Sequence, residues 1–227
     1  MSKDIACGLT HLPPWASSGN CLSLLQHHLM KNASSENEVC RPQTITDDYL
    51  EQQKALHLNP NYGVASKVFA PLVAMILQSN MISEISDYGA GKKNLLLALE
   101  QLGVDIKSYY PYDPVFPEYG SPQPAPLVCC IDVLEHVEPC CLEAVLQELQ
   151  TIITDYGFIT IHQGPAAKIL PDGRNAHLIQ ASSSWWLEKI VRYFEVIHLE
   201  QHNLMGPGLW MIVSPRLLNR PGLASPD

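Results

Sequence analysis

The sequence predicts an α/β fold with a largely parallel β-sheet that is covered by helices on both faces. Strand-like and helix-like segments alternate along most of the chain, a pattern typical of parallel strands joined through helices. A glycine-punctuated turn, Asp87-Tyr88-Gly89-Ala90-Gly91, lies between the first predicted strand and a helix. Such a unit opens many nucleotide-binding folds, because glycines let the backbone approach a ligand and the helix presents free N–H groups to it.

The composition indicates one globular domain with extensions. The chain has 227 residues and a formal net charge of −9, and an acidic surface argues against broad non-specific nucleic-acid binding. No apolar segment is long enough to span a membrane, and the first residues lack the apolar core of a secretion signal, so we expect a cytoplasmic protein without a membrane partner. The cysteines include two adjacent pairs, which favours reduced thiols: Cys7, Cys21, Cys40, Cys129, Cys130, Cys140 and Cys141.

Three parts of the chain are predicted. Residues 1–43 lack sustained periodicity, so we expect a poorly ordered extension with one short helix near residues 22–30. Residues 44–213 form the predicted domain, and residues 214–227, with three prolines, form a loose tail. Within the domain, residues 44–80 contain two helical patterns. Because both precede the glycine turn, we expect them to form a helical cap over the nucleotide site.

The remaining elements follow from hydrophobic periodicity and from glycine and proline positions. We expect Gly157 to close a helix that begins at Glu138-Pro139, with proline in its first turn. The two last strands are adjacent along the chain and suit an antiparallel pair. The expected strands are 82–87, 105–112, 127–132, 158–162, 194–199 and 209–213, and the expected helices are 91–102, 138–157 and 185–193.

Polar groups follow three of the predicted strands, at the sheet edge where open α/β folds bind ligands. The first is the glycine turn with Asp87, the second is Asp113, and the third is the segment Asp132 to His136. A carboxylate about 20 residues beyond the glycines suits ribose hydroxyls, although Asp113 equally suits capping of the turn before Pro114. No Ser or Thr follows the Gly-Lys pair, so a P-loop is disfavoured.

These residues resemble a known family. Asp87-x-Gly89-x-Gly91, followed by Asp113 and by Asp132-Val-Leu-Glu-His136, is similar to the class I, Rossmann-like S-adenosylmethionine-dependent methyltransferases. The resemblance covers roughly residues 49–213. It implies a three-layer Rossmann-like sheet that is mostly parallel with an antiparallel last strand. The segment Asp132 to His136 is especially similar to small-molecule O-methyltransferases of quinone-biosynthesis type.

A narrower resemblance involves three further segments. Leu56-His57, Tyr62-Gly63 and Asp172-Gly-Arg-Asn-Ala-His177 are similar to a set of mostly uncharacterised bacterial and phage methyltransferases. For the cofactor, the family implies S-adenosyl-L-methionine. The residues that would bind it are Asp87, Gly89 and Gly91 at the methionine part, Asp113 at the ribose and Asp132 beside the sulfonium. Tyr88, Ala90, Pro114 and Val133 are the other residues expected to bind it.

Two features depart from the family pattern. Lys93 stands where the family has a third glycine. The proline-rich segment 114–126 is too short for the usual helix and strand, so we expect one βα unit to be reduced to a loop. Phe116 or Tyr119 in this loop could stack on adenine or could simply pack the loop.

Candidate residues for the chemistry come from the later motifs. An oxygen acceptor needs a base, and the candidates are His177, His162 and Glu135, since histidine titrates near neutrality. Substrate binding is assigned to Arg174, His136 and Tyr62. The guanidinium of Arg174 suits a carboxylate or phosphate, whereas the alternative is a salt bridge with Asp172.

The sequence therefore predicts a methyltransferase acting on a small hydroxylated or anionic acceptor, with a sugar or nucleotide as the leading candidates. One alternative is a metal-assisted RNA 3′-end 2′-O-methyltransferase, because Asp132, Glu135, His136 and His177 resemble the metal site of that class. Here Asp stands in place of the first Glu, the downstream Asp-His-Lys pattern of that class is absent, and the net charge of −9 suits RNA poorly, so we expect no metal. The other alternative is an inactive binding module, which Lys93 and the shortened loop would favour.

Overall fold

A six-stranded sheet forms the centre of the computed structural model, which describes residues 43–59 and 62–216. The strand order is β2-β1-β3-β4-β6-β5. The first four strands are parallel, whereas β6 runs antiparallel to both β4 and β5. This confirms the mostly parallel sheet with an antiparallel last strand. The strands are β1 (Glu84–Tyr88), β2 (Ser108–Tyr112), β3 (Ala125–Ile131), β4 (Ile153–His162), β5 (Phe194–His202) and β6 (Gly208–Pro215).

The chain divides into two units, Met1–Arg41 and Pro42–Asp227, and the described structure belongs to the second. The predicted extension, its helix near residues 22–30, the first three cysteines and most of the predicted tail lie outside the described residues. No helix in the described ranges is long and apolar enough to cross a membrane.

Helices cover both faces of the sheet. They are α1 (Asp47–His57), α2 (Ala65–Ser79), α3 (Asn94–Gln101), α4 (Leu142–Ile152) and α5 (Ser183–Ile190). Consecutive residues of β3 pack on opposite faces of the sheet: Leu127 packs with α2 and α3, whereas Val128 packs with α4 and α5. Successive side chains of a strand point to opposite faces, so the continuous apolar run of β3 is buried on both sides.

The two helices before the glycine turn have different positions. The buried face of α2, which includes Phe69 and Val73, packs against Ile85 and Phe158 of the sheet. Only the first turn of α2 reaches the ligand pocket described below. In contrast, α1 packs through Tyr49 against the loop after β4. The predicted cap of residues 44–80 therefore splits into a sheet-covering helix and a helix at the pocket.

The expected helix 138–157 is wrong at both ends. Its first helical residue is Leu142, because residues 138–141 form a turn closed by a hydrogen bond of 2.8 Å from Cys141 N to Glu138 O. Gly157 lies inside β4 rather than after a helix. A Cβ at Gly157 would lie 2.7 Å from Ile153 Cδ1 and 2.8 Å from Val213 Cγ2. This glycine therefore allows close packing within the sheet.

The predicted reduction of one βα unit is also present. Between β2 and β3 the chain forms only a short 3-10 turn, Pro117–Tyr119. Phe116 and Tyr119 stack on each other with ring centroids 5.2 Å apart and an interplanar angle of 13°. Within the described residues, β2 pairs only with β1, and Pro111 is compatible with this edge position.

Lys93 adopts the conformation that usually requires glycine. Its φ is 58°, in the left-handed region, and its side chain turns to the loop, where Nζ lies 4.5 Å from the ring centroid of Tyr119. The departure from the family pattern thus leaves the backbone geometry of a glycine turn in place.

Replacing Lys93 with glycine should stabilise the protein. We expect Lys93→Gly to raise the free energy of unfolding by about 0.5–1 kcal/mol, because the left-handed conformation is strained for a side-chain-bearing residue. Chemical denaturation measures this change. Lys93→Ala is the matched control, since it removes the ammonium but keeps the strain, and it should not stabilise. A gain for Lys93→Ala equal to that for Lys93→Gly would contradict the backbone explanation.

Candidate active site

A pocket of about 430 Å³ lies at the carboxyl ends of β1, β2 and β3. Its wall includes the whole glycine turn, Asp113 with Pro114, and Asp132 with Val133. All nine residues that the family resemblance assigns to the cofactor therefore line one cavity. The rest of the lining includes residues of α1, of the loop after β4 and His177.

The glycine turn is shaped by positive φ angles and by its neighbours. Gly89 has φ of 80° and Gly91 has φ of 48°. The N–H groups of Gly89 and Ala90 donate to the carbonyl of Tyr112 at 2.8 and 2.9 Å. A Cβ at Gly89 would lie only 2.4 Å from Val133 Cγ2. A side chain at Gly89 is thus excluded both by backbone conformation and by space.

Asp113 connects the ends of β1 and β2. Its Oδ2 accepts a hydrogen bond from Gly91 N and its Oδ1 accepts one from Val115 N, both at 2.9 Å. Burial raises the pKa of this carboxyl, and the nearby His57 partly opposes the shift. Asp113 thus performs the turn-capping role and lines the pocket at the same time.

Asp87 is buried beside the glycine turn, where Tyr109 Oη donates to Oδ2. Burial, with a smaller contribution from Asp113, raises the pKa of Asp87 to about 7. Asp132 has a left-handed backbone with φ of 51°. Its Oδ1 accepts a hydrogen bond of 2.6 Å from the hydroxyl of Thr160, which holds the carboxylate at the end of β3.

Three histidines gather on the other side of the pocket. The rings of His136 and His162 lie 4.6 and 4.8 Å, centroid to centroid, from the ring of His177. His177 Nδ1 donates to Gly164 O at 2.7 Å, which leaves Nε2 of the neutral ring as a hydrogen-bond acceptor. Burial lowers the pKa of His177. For His136, burial and then His177 lower the pKa to about 3.

The comparisons with known proteins concern the fold. No protein-family model matches the sequence, and no curated protein matches it. One similar structure is the Burkholderia thailandensis 1,6-didemethyltoxoflavin-N1-methyltransferase with bound 1,6-didemethyltoxoflavin and S-adenosylhomocysteine. It is 11% identical, and the match covers 74% of this chain and 89% of that chain with a TM-score of 0.52.

A second similar structure is the N-methyltransferase NodS from Bradyrhizobium japonicum WM9 in complex with S-adenosylhomocysteine. It is 10% identical, and the match covers 74% of this chain and 99% of that chain with a TM-score of 0.52. The chain has a methyltransferase fold. The expected Rossmann-like methyltransferase sheet is thereby confirmed.

In this methyltransferase fold, His162 is held by the backbone on both sides of its ring. Nδ1 accepts from Gly164 N at 3.1 Å, and Nε2 donates to Met205 O at 3.1 Å. A Cβ at Gly206 would lie 2.4 Å from His162 Nε2, so the ring fits closely under that loop. These contacts leave His162 without a free ring nitrogen for proton transfer.

Glu135 lies beneath the pocket and does not line it. The side chain is fully buried, and burial raises its pKa well above the ordinary value. Oε1 accepts a hydrogen bond of 2.6 Å from His162 N. Oε2 has no hydrogen-bond partner in the described part of the chain. In this arrangement Glu135 positions the end of β4 and the ring of His162.

Arg174 does not line the pocket, whereas Tyr62 does. The guanidinium pairs with Asp172, with Nε and NH2 each 2.7 Å from Oδ2. It also lies over the Tyr49 ring, 5.8 Å from the centroid. The salt-bridge alternative considered for Arg174 is thus the observed one.

The described residues do not form the metal site of the RNA-modifying alternative. The Glu135 carboxylate is directed away from the pocket, because its Oε1 accepts a hydrogen bond from the backbone N–H of His162. In residues 43–59 and 62–216, no group of three or more His, Cys, Asp or Glu is arranged to hold a metal ion.

The cap predicted over the site is present only in part, and the side chains of α1 that reach the pocket were not predicted to be site residues. Tyr49, Gln53 and His57 of α1 line the cavity. Their spacing of four residues puts them on one helix face. Long-range bonds hold this helix: Thr46 N and Oγ1 donate to the two oxygens of Glu138 at 2.9 Å, and Tyr49 Oη donates to His136 O at 2.6 Å.

Proposed function

We propose that the protein is an S-adenosylmethionine-dependent methyltransferase that acts on a small hydroxylated or anionic acceptor. The observation that carries this proposal is the joined glycine turn and Asp113 at the floor of the 430 Å³ pocket. A flexible turn for close backbone approach and a carboxylate for ribose hydroxyls are what a nucleoside cofactor needs. The methyltransferase fold and its relatives with S-adenosylhomocysteine support the same assignment.

The chain's residues then have separable roles. S-adenosylmethionine supplies an electrophilic methyl group when it is bound. Asp87 and the glycine turn would hold its amino-acid part, Asp113 its ribose, and Asp132 with Val133 would flank the sulfonium. The acceptor would lie between these groups and the histidines, where positioning alone can supply much of the rate acceleration.

His177 is the candidate that best suits proton transfer. Its Nδ1 is fixed by Gly164 O, and its Nε2 is an acceptor in the neutral ring that the lowered pKa maintains. In contrast, His162 has both ring nitrogens engaged and Glu135 is sealed beneath the pocket. We therefore propose His177 as the base for a hydroxyl acceptor, and we assign positioning roles to His162, Glu135 and His136.

Two measurements test the proposed function. Calorimetric titration of the full chain with S-adenosylhomocysteine should show saturable binding to one site. Incubation with methyl-labelled S-adenosylmethionine and a metabolite panel should then label a small hydroxylated or anionic compound. Failure to bind S-adenosylhomocysteine at millimolar concentration would exclude the cofactor. Binding without transfer to any panel member would instead favour the binding-module alternative.

Cofactor affinity should depend on pH through Asp87. Its pKa in the free protein is raised to about 7, and a neighbouring ammonium group of the ligand favours the ionised form. Binding below that pKa must therefore release a proton, so the Kd for S-adenosylhomocysteine should rise by up to about tenfold per pH unit below pH 7 and level off above it. Asp87→Asn should flatten this dependence; an unchanged slope would show that another group is responsible.

In the free protein, the same shift acts on stability with a defined sign. The folded-state pKa of Asp87 is raised from 3.8 to about 7. Its contribution to stability is therefore fully present below pH 3.8 and is lost as pH rises through about 7.

The cytoplasmic location, the domain boundaries and the narrower similarity to bacterial and phage methyltransferases stay predictions.

A further inference from the structure

One fixed positive charge lines the pocket. Among the described residues on the pocket wall, Lys168 is the only lysine or arginine, whereas Asp87, Asp113, Asp132 and Glu138 are acidic. Lys168 lies in the loop that follows His162 at the end of β4, and the same loop carries His177. The cation therefore belongs to the same loop as His177, the proposed base.

The loop that carries Lys168 is ordered by its own hydrogen bonds. Ala176 N donates to Lys168 O at 3.0 Å, and the adjacent pair Ile169 and Asn175 forms an antiparallel bridge. The side-chain oxygen of Asn175 accepts from Ala166 N and His177 N, both at 2.9 Å. Lys168 and His177 thus lie on opposite arms of one hairpin, and these hydrogen bonds hold the two arms together.

The same hairpin packs against α1. Leu170 and Ala176 are buried in one cluster with Tyr49. Arg174 at the hairpin end is neutralised by Asp172. No ion pair or side-chain hydrogen bond is formed by Lys168 within residues 43–59 and 62–216. Arg174 therefore stabilises the hairpin through its salt bridge with Asp172, whereas the half-buried Lys168 is available to a ligand.

We propose that the methyl acceptor is a small hydroxylated anion, whose carboxylate or phosphate group binds to the Lys168 ammonium while its hydroxyl donates to Nε2 of His177. This inference rests on the proposed function and narrows its acceptor class. A charge-assisted hydrogen bond supplies the affinity, and a neutral histidine supplies the acceptor for a hydroxyl proton. The hairpin, which holds both residues, would set the distance between the two recognised groups.

The test measures anion binding to the protein saturated with S-adenosylhomocysteine. Backbone amide chemical shifts are followed during titration with three small compounds. Glycolate represents a carboxylate, inorganic phosphate represents a phosphate group, and ethylene glycol is the uncharged counterpart of glycolate. We expect saturable shifts in residues 164–177 for at least one anion and none for ethylene glycol. Lys168→Met should weaken the binding of that anion by at least about tenfold, because a hydrogen bond to a charged group is lost.

Lys67→Met is the matched control, since Lys67 is exposed on α2 and does not line this pocket. It should leave anion binding unchanged, and neither variant should alter the Kd of S-adenosylhomocysteine. Equal anion affinity in Lys168→Met and the unmodified protein would overturn the proposal, as would shifts of equal size with ethylene glycol. Failure of the unmodified protein to bind S-adenosylhomocysteine would instead contradict the proposed function itself.

Discussion

Gly89→Ala should nearly abolish cofactor binding and should destabilise the fold. The added Cβ would lie 2.4 Å from Val133 Cγ2, and the backbone has φ of 80°. The left-handed conformation costs about 1–2 kcal/mol for alanine, and overpacking adds about 1–3 kcal/mol. We expect the free energy of unfolding to fall by about 3 kcal/mol and the Kd for S-adenosylhomocysteine to rise by about a hundredfold, as measured by denaturation and calorimetry.

Two further variants separate strain from collision. Gly103→Ala has a similar φ of 73° but meets no atom within 4 Å, so it should cost only about 1–2 kcal/mol and leave cofactor affinity intact. The double variant Gly89→Ala with Val133→Ala removes both Cγ atoms from the collision and should recover part of the lost stability. If the double variant loses as much free energy of unfolding as the two single variants lose together, the contact with Val133 does not cause the destabilisation by Gly89→Ala.

Asp113→Asn should weaken cofactor binding by about a hundredfold. Asparagine has one acceptor oxygen instead of two, so either Gly91 N or Val115 N loses its partner. A buried unpaired donor costs about 1–3 kcal/mol, which should appear as reduced stability of the free protein. The ligand should lose the charged acceptor for its ribose hydroxyls, which calorimetry with S-adenosylhomocysteine measures.

The hydroxyl contact can be isolated with a modified ligand. The unmodified protein should prefer S-adenosylhomocysteine over its 2′,3′-dideoxy analogue, and Asp113→Asn should erase most of that preference. Asp105→Asn, an exposed acid outside the pocket, controls for net charge and should change neither value. A preference that survives in Asp113→Asn would place ribose recognition elsewhere.

The arrangement of the sheet could be predicted from sequence because its signals are local. The apolar run of β3 predicts a buried strand, and the proline-rich segment after β2 predicts a loop. Both signals lie within short stretches of sequence. The start of α4 could not be predicted in this way. Glu138 accepts hydrogen bonds from Thr46, which is 92 residues away. Residues 138–141 form a turn there, whereas Pro139 had indicated the first turn of the helix.

The candidate site divides along the same line. The residues predicted to bind the cofactor belong to contiguous motifs at strand ends, and the structure brings them into one cavity. The acceptor wall depends on contacts between distant segments, such as His162 N with Glu135 across 27 residues. Arg174 and Lys168 show the difficulty most clearly, because their sequence neighbourhoods do not reveal which cation is paired with Asp172 and which one reaches the pocket.

The acidic floor of the pocket has a consequence for turnover under the proposed function. Asp87, Asp113 and Asp132 lie together at the strand ends, and the substrate form of the cofactor carries a sulfonium charge that its thioether product lacks. Electrostatic attraction therefore weakens at the moment the methyl group leaves. The site should retain its spent cofactor less tightly than its fresh one, which limits product inhibition and favours exchange between catalytic cycles.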